Sequence, residues 1–433
     1  MFFQPEIETM PREELRELQL ERMRESLRNA YENVPLYRER FDAAGVTPDD
    51  LTSLEDIAKF PFVVKQDMRD NYPFGMFARE NADVARIHAS SGTTGQATVV
   101  GHTANDLANW GDCFARGIAM VGGDENSTIQ VSYGYGLFTG GLGAHAGGEA
   151  MGCTVIPTSS GNTKRQVQML KDCKTDILAC TPSYALLIAD TAIEMGYDPA
   201  TEFQISGGIF GAEPCSENMR QEIADKLGIQ YCDVYGLSEI MGPGVAMECA
   251  ERGGLHIAED QFYCEIIDPE TLEVLPDGEV GELVITTLTR ECSPMIRYRT
   301  RDLTRILPGK CPCGRTHLRI DRIKGRSDDM FIIKGVNIFP MQVEKILVQF
   351  PELGSNYLIT LETVNNQDEM IVEVELSDLS TDNYIELEKI RRDIIRQLKD
   401  EILVTPKVKL VKKGSLPQSE GKAVRVKDLR DNK

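Results

Sequence analysis

Residues 89–102 read ASSGTTGQATVVGH, with Gly92 and Gly95 standing among the hydroxyl residues Ser90, Ser91, Thr93 and Thr94. Glycine lets a backbone approach an anion closely, and successive amides form a concavity that binds phosphate. The hydroxyls add neutral donors, and one can reach a metal ion carried on the phosphates. The same residues also suit a flexible surface turn, so the loop alone is a weak signal. It is not a Walker loop, because GxxxxGK[ST] is absent. A second set of residues suggests a metal. Cys249 and His256, with Cys311 and Cys313 in a tight CPCG knuckle, supply three thiols and one imidazole, a set suited to tetrahedral zinc. Cys264, Cys292 and His317 are rival ligands, and the competing reading is a group of independent reduced cysteines. Four protein ligands leave no open position for water, so the expected role is structural.

Further motifs follow the loop. GAEP occupies Gly211–Pro214, DVYGLSE runs from Asp233 to Glu239, and YRTRD from Tyr298 to Asp302. GRSDDMFIIKGVNIFP spans Gly325 to Pro340, and LPQSEGK ends at Lys422. Each is weak by itself, but their joint order over most of the chain is not expected by chance. Together they resemble the ordered core motifs of the adenylate-forming superfamily of acyl-CoA synthetases, luciferases and peptide-synthetase adenylation domains. Within it the chain is most similar to the phenylacetate–CoA ligases, through its short length, YGYGLFTGGLGAH at Tyr133–His145, and GLHIAED at Gly254–Asp260.

The resemblance implies that Ser90, Ser91, Gly92, Thr93, Thr94 and Gly95 cradle the phosphates of ATP. It also implies a basic residue soon after the second glycine; here Gln96-Ala97-Thr98 follows, so one charge contact is missing. Gly211, Ala212, Glu213 and Pro214 should line the adenosine. Tyr235 matches the residue that stacks on adenine, Asp233 a position near the adenine amino group, and Gly236 and Ser238 continue that motif. Glu239 matches the carboxylate that helps hold Mg²⁺, a hard cation that prefers oxygen. Asp302 matches the acceptor of both ribose hydroxyls, Arg326 sits at the ribose or the hinge, and Asp328 is the hinge itself. An Asp that merely caps the next turn fits Asp328 equally well. Lys422 matches the adenylation lysine, whose ammonium would stabilise charge on the transferring phosphoryl oxygens.

Tyr135 and Phe138 offer flat apolar walls for a compact aromatic acid, and Gly140, Gly141 and Gly143 would leave volume for its ring. A glycine-rich turn packed beneath a sheet is the plainer reading of this stretch. The implied reaction is two-step: acid plus Mg·ATP gives acyl-AMP and pyrophosphate, the small domain rotates, and the thiol of coenzyme A displaces AMP. One rival is adenylation for loading onto a carrier-protein thiol, which the site residues do not distinguish. Another is a non-catalytic nucleotide sensor, disfavoured because Glu239, Asp302 and Lys422 are all present.

The elements that must position these residues show in the pattern of the chain. Arg12–Asn33 has apolar residues at helical spacing and stops before Pro35. From Arg86 to Asp302, short apolar runs alternate with helical patterns: 127–132, 154–157, 177–180, 204–210 and 230–234. Such alternation predicts an α/β fold with parallel strands and crossover helices. Glu279–Thr287 reads as a strand of a β-rich subdomain. Beyond Arg326 the order helix 340–350, strands 355–362 and 369–376, helix 384–402 and strand 407–412 predicts a small α+β domain. The expected division is therefore a large domain, 1–326, and a small mobile one, 327–433.

The chain has 433 residues, 41% of them apolar, and a net charge of −21 that lies almost wholly in the first 328 residues. That charge argues against nucleic-acid binding, which relies on Lys and Arg at phosphates. No run approaches the roughly 20 apolar residues that span a bilayer. The Glu- and Arg-rich N-terminus lacks a signal-peptide layout, which places the protein in the cytoplasm. Eleven scattered cysteines do not form a disulfide framework there. The expected small molecules are a carboxylic acid, ATP with Mg²⁺, and coenzyme A. A homodimer is compatible with the family and leaves no mark in the sequence.

Overall fold

The protein is described from a computed structural model, which covers residues 1–90, 97–213, 215–327, 331–333, 336–364, 367–377, 383–417 and 425–430. Two compact units divide the chain. The first comprises Met1–Ala212 and Glu222–Arg322, and the second Glu213–Gln221 and Ile323–Lys433.

The large unit opens with a short helix α1 (Pro5–Glu8), followed by α2 (Arg12–Asn33), α3 (Pro35–Ala44) and α4 (Lys65–Asp70). Leu15, Met23, Leu27 and Ala30 of α2 are fully buried, as its apolar spacing requires. Val34 ends α2 in an extended conformation and Pro35 starts α3, because proline fixes φ and needs no donor at a first helical position. A hairpin of β1 (Arg86–Ala89) and β2 (Val99–His102) holds the two ends of the phosphate loop. Helix α5 (Ala104–Met120) begins at a Thr103–Asp106 capping box.

The seven strands that follow belong to one nine-stranded sheet. They are β3 (Thr128–Val131), β4 (Thr154–Ile156), β5 (Ile177–Cys180), β6 (Gly207–Gly211), β7 (Gln230–Leu237), β8 (Gly242–Glu248) and β9 (Leu255–Ile257). Helix α6 (Thr139–Met151) crosses from β3 to β4. Pairing is parallel through β4, β3, β5, β6 and β7, then antiparallel at β8 and β9. Strands β10 (Phe262–Ile267), β11 (Gly281–Thr287) and β12 (Tyr298–Thr304) form a separate antiparallel sheet. Two short strands, β13 (Ile306–Leu307) and β14 (Arg319–Ile320), then return to the nine-stranded sheet beside β9. Its core includes Phe114, Ile118, Ile129, Val131, Ile177 and Ile209, contributed by α5 and the parallel strands.

The small unit is α+β, as the pattern past Arg326 predicts. Helices Pro340–Leu347 and Tyr384–Ile402 accompany a four-stranded sheet in the order 407–411, 367–376, 353–364, 426–428. Ile346, Ile359, Val372, Val374, Ile394 and Leu398 form its core. The 426–428 strand, absent from the sequence reading, pairs in parallel through Ile359↔Val426. Three residues are too short to carry a periodic signal.

Candidate active site

Strand β7 carries the first group of expected site residues. Its register sets Gly211, at the end of β6, beside Val234, and Phe210 beside Asp233. Asp233 accepts a hydrogen bond from the Tyr231 hydroxyl at 3.2 Å. Two residues on, the Tyr235 hydroxyl donates to Asp302 Oδ2 at 2.6 Å. Burial, and then the Asp302 carboxylate, push the Tyr235 pKa well above its ordinary value, so the phenol keeps its proton. Two residues 67 positions apart, both expected at the adenosine, thus meet directly. Gly236 must be glycine here. A Cβ would lie 1.8 Å from the carbonyl oxygen of Gly242, where β7 bulges against β8. Just beyond β6, Ala212 has φ +74°, and Arg301, preceding Asp302, has φ +67°. Both lie in the left-handed region that side chains rarely adopt, and such strain clusters at functional sites.

A second group lies where the phosphate loop begins and ends. Ser90 N donates to the Thr98 carbonyl at 3.0 Å, and the two hydroxyls lie 2.6 Å apart. Thr98 Oγ1 in turn donates to Glu239 Oε1 at 3.4 Å. Glu239 is buried, and Lys65 Nζ lies 2.8 Å from the same oxygen. The guanidinium of Arg290, which is buried, donates to the carbonyls of Glu239, Ile240 and Gly101 and so fixes the turn that bears Glu239. Ser238 shares a hydroxyl contact of 3.1 Å with Thr139, the first residue of α6. Lys65, Thr98 and Arg290 were not singled out in the sequence. Lys65 was concealed because nothing in KQDMRD distinguishes it from a solvated surface cation, although the loop's missing charge pointed to a cation elsewhere.

The expected acid-binding stretch needs one correction. Residues 139–151 form helix α6, and its glycines hold no spare volume. A Cβ on Gly140 would meet the Phe138 ring at 2.4 Å, on Gly141 the Gly134 carbonyl at 2.7 Å, and on Gly143 the Trp110 ring at 2.4 Å. These glycines admit the protein's own groups. Phe138 is 45% exposed at the start of α6, whereas Tyr135 is half-buried and shares a 3.1 Å hydrogen bond with His145 Nδ1. Burial, aided by Glu149, pushes the Tyr135 phenol up to about 12.

The sheet order explains how four distant metal-type ligands converge. Cys249 follows β8, His256 is on β9, and Cys311 and Cys313 lie between β13 and β14, all neighbours in the nine-stranded sheet. Their four ligand atoms lie within 4.8 Å of one another. Cys249 and Cys311 sulfurs are 3.6 Å apart, and Cys313 Sγ is 3.4 Å from His256 Nε2. A tetrahedral zinc with ordinary bond lengths separates two sulfurs by about 3.8 Å, and sulfur from nitrogen by about 3.6 Å. His256 Nδ1 faces the His317 carbonyl at 3.4 Å, leaving Nε2 for a metal. His317, a rival in sequence, is committed to the carbonyls of Ile257 and Ile7. The knuckle also grips the N-terminus: Arg315 Nε donates to Glu8 at 2.6 Å, and Thr316 N to the Glu8 carbonyl at 3.0 Å. All eleven cysteines are free.

Arg326 lies in the small unit, half-buried, and Glu213 belongs to the same unit. Ser91, Gly92, Thr93, Thr94, Gly95, Pro214, Asp328 and Lys422 lie outside the described residues. Among the described residues, no helix is long and apolar enough to cross a membrane.

Comparison with known proteins gives the class first. Residues 27–289 match the model of the AMP-binding enzymes, and residues 335–430 that of the AMP-binding enzyme C-terminal domain. The chain is 52% identical to the phenylacetate-coenzyme A ligase of Pseudomonas putida, over 98% of this chain and 96% of the relative. It is 51% identical to the enzyme of that name from Escherichia coli K12, over 98% and 97%. Among solved structures, 2-hydroxyisobutyryl-CoA ligase in its postadenylation state, complexed with R3-HIB-AMP, superposes with TM-score 0.90 at 30% identity. That match covers 98% of this chain and 91% of the other. The chain belongs to the phenylacetate–coenzyme A ligase family of AMP-binding enzymes.

Proposed function

We propose that the protein joins phenylacetate to coenzyme A, cleaving ATP to AMP and pyrophosphate by way of an enzyme-bound acyl-adenylate. The observation that carries the reading is the joining of Tyr235 to Asp302 beside the Glu239–Thr98–Ser90 cluster, in a chain half-identical to phenylacetate–CoA ligases. In the first step a carboxylate oxygen attacks the α-phosphorus and pyrophosphate leaves. In the second, the thiol of coenzyme A attacks the acyl carbon, AMP leaves, and the thiol proton passes to solvent.

Each residue then has a task. Asp302 accepts the ribose hydroxyls, since a carboxylate takes two O–H bonds at once. Tyr235, tethered to Asp302, presents its ring to adenine, and Asp233 lies near the adenine amino group on the same strand. Gly211, Ala212 and Glu213 line the adenosine, with Pro214. Residues 90–95 hold the phosphates, and Arg326 and Asp328 serve the ribose and the hinge. Glu239 is buried, oxygen-bearing and next to the loop ends, which fits a Mg²⁺ ligand. The ion would neutralise phosphate charge. Lys422 stabilises the charge that builds on the α-phosphoryl oxygens, an interaction stronger in the transition state than in the ground state. Tyr135, half-buried, is the better placed of the two aromatic residues to read the acid; Phe138 would take part at the rim.

Cys249, His256, Cys311 and Cys313 fit zinc by donor type and spacing. Zinc would act there as a cross-link between the β8–β9 hairpin and the knuckle, with no part in the reaction.

The test is pyrophosphate exchange into ATP by the purified protein with Mg²⁺ and phenylacetate, without coenzyme A. Acid-dependent exchange is expected. Exchange with no requirement for any carboxylic acid would refute the adenylation step.

A further inference from the structure

Between Ala89 and His102 the phosphate loop contains no lysine or arginine. Backbone amides and hydroxyls satisfy the hydrogen bonds of a triphosphate without neutralising its charge. The first 328 residues are strongly acidic, so the molecule's overall field gives no help. Beyond the Mg²⁺ that accompanies the nucleotide, a protein cation at the phosphates therefore has to come from another element.

Lys65 occupies the right place. Its Nζ lies 2.8 Å from Glu239 Oε1, its side chain is 41% exposed, and that of Glu239 is 7% exposed. The same carboxylate oxygen is reached by Thr98, whose hydroxyl lies against that of Ser90. The ammonium thus stands one carboxylate away from both ends of the loop. Arg290, a second cation at this turn, is buried and committed to three carbonyls.

The backbone that carries Lys65 is firmly stitched. Val63 bridges to Tyr298 of β12, with hydrogen bonds from Val63 N to the Arg297 carbonyl and from Arg299 N to the Val63 carbonyl. Asp67 accepts from Val64 N at 2.8 Å and is paired with Arg40, which also donates to the Phe62 carbonyl. Lys65 therefore follows by two residues a bridge to the strand that bears Asp302. Only its flexible stem is left to move.

We propose that Lys65 is the phosphate-binding cation that the loop lacks, and that it exchanges Glu239 for the β- and γ-phosphates when Mg·ATP binds. This rests on the functional reading above, which puts the nucleotide at Glu239. A divalent cation on Glu239 repels the ammonium, and the triphosphate attracts it. Because the β- and γ-phosphates leave as pyrophosphate, Lys65 distinguishes ATP from AMP and contributes nothing to holding the acyl-adenylate.

Calorimetric titration of the full-length protein with Mg·ATP and, separately, with AMP tests this in the wild type, K65M and K65R. Hydrogen bonds to charged groups are worth about 1.5–3 kcal/mol, so K65M should weaken ATP binding about 10- to 100-fold. AMP affinity should stay within about twofold, and K65R should recover most of the loss. Unchanged ATP affinity in K65M would overturn the assignment. So would equal weakening of ATP and AMP with a lowered melting temperature, which would mark Lys65 as a mere neutraliser of Glu239. A wild type that binds neither nucleotide would overturn the functional reading itself, and this assignment with it.

Discussion

The Tyr235 hydroxyl donates to Asp302 Oδ2, tying the residue read as the adenine platform to the one read as the ribose acceptor. Both residues stood out through motifs, one in DVYGLSE and one in YRTRD, but no spacing rule joins positions 67 apart. The bond exists because β7, an interior strand of the nine-stranded sheet, and β12, an outer strand of the separate three-stranded sheet, are brought together by the fold. Substitution of Asp302 by Ala should therefore raise the KM for ATP at least about tenfold, from loss of a charged acceptor, while the protein stays folded. Steady-state kinetics with a melting curve would check this; an unchanged KM would remove Asp302 from the ribose. Lys422 acts at a different stage. Lys422→Ala should abolish acyl-AMP formation while thioester formation from supplied acyl-AMP survives, and equal loss in both half-reactions would contradict the role.

The elements decide more than the motifs do. The helix over 12–33 and the parallel strands were legible because apolar periodicity is a property of many residues at once. The segment over 133–145 was not, because a helix rich in glycine lacks both propensity and stripe. Its glycines are set by neighbours: Gly143→Ala would push a methyl into Trp110 and should cost about 1–3 kcal/mol by overpacking, measured by denaturant unfolding. The metal-type quartet has the same character. Its residue types were visible, but only the order of β8, β9, β14 and β13 selects Cys249 and His256 over Cys264, Cys292 and His317. Cys311→Ser should release one equivalent of zinc from protein grown with the metal. It should also destabilise the large unit by roughly 3–5 kcal/mol, on the order of 10 °C in Tm. Metal analysis and calorimetry would read both, and protein that holds no zinc with an unchanged Tm in the variant would argue against the site.

For the molecule as a whole, the two units each have a core of their own, and the large unit binds its N-terminal segment back through buried ions. Glu8 meets Arg315, and Gln4 and Asp260 share Arg116, so residues 1–8 are fastened to the knuckle and to α5. The sequence announced the helix over 12–33 but neither α1 nor these pairings, since hydrogen bonds from arginines to groups about 110 to 310 positions away leave no local pattern. The most direct measurement is AMP release from ATP and Mg²⁺ by the intact protein across a panel of carboxylic acids, with and without coenzyme A. Release that depends on coenzyme A and is greatest with phenylacetate is the predicted result. AMP release that coenzyme A fails to accelerate with any acid in the panel would contradict it.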